Sequence, residues 1–327
     1  MTASAPSDGP AANQWPARLH VVTGKGGVGK TTVAAALALA LAAGGRRTLL
    51  VEVEDRQGIA QLFDRSPLPY EERTIATTPG GGEVKALAVD PEEALLEYLT
   101  LFYHLGAAGR ALRKVGAIDF ATTIAPGLRD VLLTGKVKEA TTRTDSQGKR
   151  VYHAVVLDAP PTGRIGRFLN VTAEAAKLAK MGPIKTQSEG VAALLRSPMT
   201  AVHLVTLLEE MPVQETLDAA QELRGLGIPV GKVIVNGAHP PLLEGVRKVT
   251  QAELRRGLAA AGLATDRPTV VGLQEQAQAY LARRSVETEL RGELDEIGRP
   301  VVELPLLPGG IDFAALREIG SLLGAAA

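Results

Sequence analysis

Gly24-Lys25-Gly26-Gly27-Val28-Gly29-Lys30-Thr31 satisfies the spacing G-x-x-x-x-G-K-[ST], between an apolar, β-branched run at residues 19–23 and an Ala/Leu/Val-rich run at 32–43. That setting constrains the fold more than the motif alone. A strand that passes through a glycine loop into a helix belongs to an α/β sheet whose helices cover its faces. Glycines let the backbone wrap closely around a phosphate, and a helix N-terminus turns its N–H groups toward the anion. Lys30 would neutralise β/γ charge, and the Thr31 hydroxyl would face Mg²⁺. The loop therefore implies ATP and Mg²⁺ as cofactors. Thr32 opens the helical run, and Gly44 and Gly45 end it. Lys25 is a second lysine, one residue after the first glycine, where the motif requires none.

Further strands are expected at residues 48–53, 84–89, 155–158, 201–206, 232–236 and 301–304, with helical patterns between them. This alternation predicts a doubly wound, mostly parallel sheet of the P-loop NTPase type. In 327 residues, with 45% hydrophobic content, one such domain over 17–327 has ample core. Residues 91–140 and 168–198 hold more helix than single crossovers need, so they predict a helical subdomain grown from two insertions. Residues 145–150 form the polar turn leading back to the sheet.

The chain has no cysteine, which excludes disulfides, thiolate metal sites and cysteine nucleophiles. The five histidines do not pair at metal-ligand spacing. No window of about 20 apolar residues exists, so no integral membrane segment is expected. The first 16 residues, rich in Ala, Ser and Pro, read as a disordered tail without a secretory pattern, on a cytoplasmic protein. A net charge of +0 without long single-sign runs gives no reason to expect a nucleic-acid partner.

Val155-Val156-Leu157-Asp158 is an apolar strand ending in a carboxylate, followed by Ala159-Pro160-Pro161-Thr162-Gly163. Asp158 suits a position holding a Mg²⁺-bound water at the strand's C-terminal edge, or else caps a turn. Gly163 supplies a hinge whose N–H could sense the γ-phosphate.

These residues carry a resemblance. The loop from Gly24 to Thr32 is similar to the deviant Walker A loop with its signature lysine. Asp158 to Gly163, followed by Arg167-Phe168-Leu169, resembles the second switch of the arsenical-pump ATPase and tail-anchored-protein targeting factor family. Val233-Ile234-Val235-Asn236 is similar to that family's adenine-binding strand, Glu209-Glu210 through Glu215-Thr216 to its E-x(4)-E-T segment, and Pro305-Leu306-Leu307 to its near-terminal P-L-L. The resemblance spans residues 19–310. It implies a dimer closing around two ATP molecules, with Lys25 reaching the other subunit's phosphates. It also implies nucleotide contacts at Asn236, Pro305, Leu306 and Leu307, and a surface for a hydrophobic protein client on the helical subdomains.

Three departures qualify what the resemblance implies. The family's first switch reads D-P-A-H, whereas Glu54-Asp55-Arg56-Gln57 stands here. The water-positioning residue is then Glu54, one methylene longer, or Asp55 if the alignment slips by one; a displacement of about 1 Å can cost ~100-fold in rate. Arg164 replaces the second switch's histidine, either as positive charge near phosphate or as an ion-pair partner. The absence of cysteine excludes arsenite activation and a zinc-clamped dimer. These departures favour slow hydrolysis and admit two partners: a second copy, or a more complete paralogue whose heterodimer this chain regulates. A partitioning or positioning ATPase is a further alternative.

Leu95, Leu96, Tyr98, Leu99, Leu101, Phe102, Tyr103 and Leu105 form a dense apolar stripe within residues 92–116, read chiefly as core, with a client groove as the functional alternative. Only four methionines occur, too few for a methionine-rich client surface. Arg247, Lys248, Arg255 and Arg256 are expected on one solvated helix with Glu244 and Glu253. The apolar spacing in residues 313–323 predicts a C-terminal helix packed on the domain.

Overall fold

The structure, a computed structural model, describes residues 15–54, 56–103, 126–171, 173, 175 and 183–325. Eight strands form one sheet: β1 (Leu19–Gly24), β2 (Arg47–Glu52), β3 (Arg73–Thr77), β4 (Glu83–Ala88), β5 (Ala154–Asp158), β6 (Thr200–Thr206), β7 (Val230–Ala238) and β8 (Val301–Pro305). Their order is β3-β4-β2-β5-β1-β6-β7-β8. All neighbours are parallel except β3 and β4. The helices are α1 (Lys30–Ala42), α2 (Gly58–Leu62), α3 (Pro91–Tyr103), α4 (Pro126–Thr142), α5 (Thr162–Leu169), α6 (Pro183–Leu195), α7 (Glu210–Gly225), α8 (Gln251–Ala260), α9 (Arg267–Asp295) and α10 (Phe313–Ala325).

The alternation of side chains along β1 builds both cores. Leu19 and Val21 face α3 to α7 and the end of α9, whereas Val22 faces α1 and α10. Every residue from Val33 to Ala42 is buried, because α1 lies between the sheet and α10. Small residues allow that approach: a Cβ on Gly320 would lie 3.0 Å from the Ala36 carbonyl oxygen. The apolar face of α10 (Leu316, Ile319, Leu323) is buried there, so this helix packs on the domain.

β3 went unread in the sequence. It is an antiparallel edge strand in which only Ile75 and Ala76 are buried, so its pattern is too polar to register as part of a parallel sheet. Trp15, assigned to the tail, is buried at 2% exposure, donates Nε1–H to the Leu323 carbonyl at 3.1 Å and packs edge-on against His203. Arg247, Lys248 and Glu244 do not share a helix with Arg255, Arg256 and Glu253. A capping box at Thr250 and Glu253 starts α8 after them, and no residue of α8 is buried.

Helix α4 packs against both α3 and α6, and against β5. In the apolar stripe, Leu95 and Tyr98 are core, and Leu96 and Leu99 pack against it. The side chains of Leu101, Phe102 and Tyr103, and the stretch from 104 to 116 including Leu105, lie outside the described residues. An antiparallel bridge between Thr144 and Arg150 closes the turn that leads into β5. Among the described residues, no helix is long and apolar enough to cross a membrane.

Candidate nucleotide site

The phosphate loop joins β1 to α1 at the C-terminal edge of the central strands. Gly27 and Gly29 hold φ of 90° and 91°, a left-handed backbone that favours glycine. Gly24 is glycine for another reason: a Cβ there would stand 2.1 Å from the Val205 carbonyl oxygen on β6. Gly29 is the N-cap of α1 and no side chain caps that end, which leaves the helix N-terminus suited to an anion. Lys30 is buried, with Nζ 3.4 Å from the Lys25 carbonyl oxygen. Burial pulls its pKa below the usual lysine value, against the attraction of Asp158 and Glu54.

Thr31 Oγ1 donates to Asp158 Oδ2 at 2.6 Å, which joins the start of α1 to the end of β5. Asp158 Oδ1 is buried without a hydrogen-bond partner. Burial, with smaller contributions from the charges of Glu52 and Glu54, pushes the Asp158 carboxyl up to about 7, although the Thr31 hydrogen bond and Lys30 oppose this. A buried carboxylate with a free oxygen beside a threonine hydroxyl fits a hydrated divalent cation. Among the described residues, no three His, Asp or Glu side chains converge as a metal cage, so such an ion would depend on phosphate and water for most of its shell.

The first switch follows β2. Glu54 Oε1 lies 3.6 Å from Arg164, and its other oxygen lies 3.8 Å from Arg56. The longer carboxylate and the arginine in place of histidine thus meet as an ion pair linking the two switches. Asp55 lies outside the described residues. Lys25 donates to Glu215 on α7, and the second oxygen of that carboxylate accepts from Thr162 at 2.8 Å. The Lys25 hydrogen bond holds Glu215 below the usual carboxylate range. Gly163 follows Thr162 in the first turn of α5.

Asn236 donates Nδ2–H to the Val28 carbonyl at 2.9 Å, so its side chain braces the phosphate loop. Leu306 N–H donates to the Ala238 carbonyl at 2.9 Å, which sets Pro305, Leu306 and Leu307 across the end of β7, with Leu306 48% exposed. The structure thus gathers Gly24 to Thr32, Glu54, Asp158, Gly163 and Asn236 along one edge, with the 305–307 turn at its β8 end. Sequence reading missed Glu52, a buried carboxylate ending β2. Its signal was a carboxylate inside the apolar run from Leu49 to Val53.

Residues 17–189 match the family model described as anion-transporting ATPase. A Mycobacterium tuberculosis protein named ATPase BagA is 53% identical over 329 residues, covering 97% of each chain. An arsenical pump-driving ATPase of Escherichia coli is 28% identical, over 92% of this chain and 54% of its own length. ATPase GET3 of Kluyveromyces lactis is 26% identical, over 66% of this chain and 70% of its own length.

Proposed function

Because the chain belongs to the anion-transporting ATPase family, we propose that it binds and slowly hydrolyses ATP as a dimeric switch whose opening and closing loads or releases a protein partner. The observation that carries this reading is the Thr31–Asp158 hydrogen bond at the mouth of a glycine loop with a buried lysine. Lys30 and the loop amides would hold the phosphates, and Thr31 and Asp158 would hold Mg²⁺ through its water shell. The bound ion supplies charge neutralisation at the β/γ oxygens. Lys25 would leave Glu215 to meet phosphate across the dimer, and Glu54 would orient the attacking water. Asn236 would position the adenine side of the loop, with Pro305, Leu306 and Leu307 beside the base.

The Glu54–Arg164 pair supports a second reading, in which this chain binds nucleotide, hydrolyses it poorly and completes a heterodimer with a paralogous ATPase. Turnover of ATP with Mg²⁺ by the purified chain, compared with Lys30→Ala and Glu54→Gln and with nucleotide binding measured in parallel, separates the two. Turnover that both substitutions abolish supports the autonomous enzyme. Tight binding without turnover until a paralogue is added supports the heterodimer, and no nucleotide binding sinks both.

A further inference from the structure

Glu52 ends β2 in register with Asp158 at the end of β5, and the two are 4% and 7% exposed. Neighbouring strands lie about 4.8 Å apart, so the two buried carboxylates stand side by side at the strand ends. Glu52 accepts the Gly58 N–H at 2.9 Å and the Ile59 N–H at 3.4 Å. A Cβ at Gly58 would lie 3.7 Å from Glu52 Oε1 and 3.8 Å from Thr31 Oγ1, so both oxygens lie beside Gly58. The unpartnered Asp158 Oδ1 is a second, independent observation that suits a cation at this edge.

We propose that Glu52 is a further carboxylate of the magnesium site, acting in the water shell of the ion that Thr31 and Asp158 would hold, and that it would couple that ion to the first switch. The inference rests on the nucleotide-site reading above. The side chain closes the switch loop: it starts where the strand ends and fastens the backbone of Gly58 and Ile59, with Glu54 on the segment between. An ion that draws on Glu52 therefore acts on both ends of the loop carrying the water-positioning residue. Binding through one or two carboxylates and retained waters is the usual mode for Mg²⁺ at phosphates.

The test is a titration of Mg²⁺ against mant-ADP fluorescence in wild type, Glu52→Gln and Asp158→Asn, with trypsin cleavage after the exposed Arg56 followed with and without Mg²⁺. Glu52→Gln is expected to raise the Mg²⁺ midpoint about tenfold while leaving mant-ADP affinity in EDTA unchanged. Magnesium protection of Arg56 is expected to be lost with it. An unchanged midpoint, with cleavage faster to the same degree in both conditions, assigns Glu52 a purely structural role and overturns the proposal. If Asp158→Asn shifts the midpoint and Glu52→Gln does not, only this inference falls. If mant-ADP binding by wild type ignores Mg²⁺, the nucleotide-site reading falls as well. Should Glu52→Gln not fold, Glu52→Asp provides the same readouts with a smaller expected shift, and an unchanged midpoint there also overturns the proposal.

Discussion

Lys25 and Glu215 are bound to each other within one chain, and the same carboxylate accepts from Thr162. One glutamate on α7 therefore ties the phosphate loop to the second switch. A lysine that the family resemblance sends across a dimer is already satisfied at home, and crossing means exchanging a carboxylate for a phosphate.

Both members of that pair are about one-third exposed, at 33% and 30%, so water screens it and its worth is about 0.2–1 kcal/mol. Glu215→Gln is expected to strengthen ATP-dependent dimerisation by no more than about five-fold, read by analytical ultracentrifugation. Lys25→Ala is expected to lower turnover about 100-fold while ATP affinity stays close to wild type.

Glu54 and Arg164 make a different prediction. Arg164 is 60% exposed and 3.6 Å from the carboxylate, which makes the pair weak. Arg164→Ala is expected to change kcat less than about five-fold, whereas Glu54→Gln is expected to lower it about 100-fold with nucleotide affinity retained. An equal loss in both variants would mean that Arg164 itself contacts the reacting phosphate.

Asp158 titrates near the physiological range. Its pKa, about 7 against an ordinary 3.8, is raised chiefly by burial, so the neutral form is favoured below pH 7. Magnesium binding needs the carboxylate, and its affinity therefore falls as pH drops through 7. The Mg²⁺ midpoint for mant-ADP is expected to rise towards about tenfold per pH unit below 7 in wild type, from the cost of removing one proton. Asp158→Asn is expected to lose both the pH dependence and most of the magnesium response.

The opposite edge of the sheet carries a pH dependence of stability. His20 Nδ1 and His203 Nε2 lie 3.1 Å apart under Trp15, both fully buried. Burial lowers His20 from 6.5 to about 4 and His203 well below its usual value. Native histidines that refuse protons lose stability as pH falls from 6.5 towards 4. The loss for His20 is about 2 kcal/mol by pH 5. Urea unfolding at pH 7 and pH 5 should show this slope, and His203→Gln should reduce it.

Two loop glycines should separate folding from binding. Gly24→Ala forces a Cβ against the Val205 backbone and is expected to cost about 3 kcal/mol in urea unfolding. Gly26 has nothing within 4 Å of an added Cβ, so Gly26→Ala should leave stability within about 0.5 kcal/mol. Its expected effect is weaker ATP binding, because the space it fills is the space a phosphate would enter.

Periodicity and motif spacing determined the frame. Seven of the eight strands, the glycine loop and the carboxylate ending β5 were legible, because each is local: an apolar β-branched run, a run of glycines, a charge at a strand's end. β3 was not, since an edge strand with two buried residues lacks that pattern. Trp15 was lost for a related reason: its burial depends on Leu323 and His203, far away in the chain. The sequence by itself determined that a glycine-rich loop joins a strand of a parallel sheet to a helix, because loop, strand and helix are contiguous. Only the tertiary structure decided that Glu52 stands beside Asp158, that Arg164 meets Glu54 and that Lys25 rests on Glu215. Strand order and helix docking place those partners, and charges that meet only after folding leave no periodic trace in the chain.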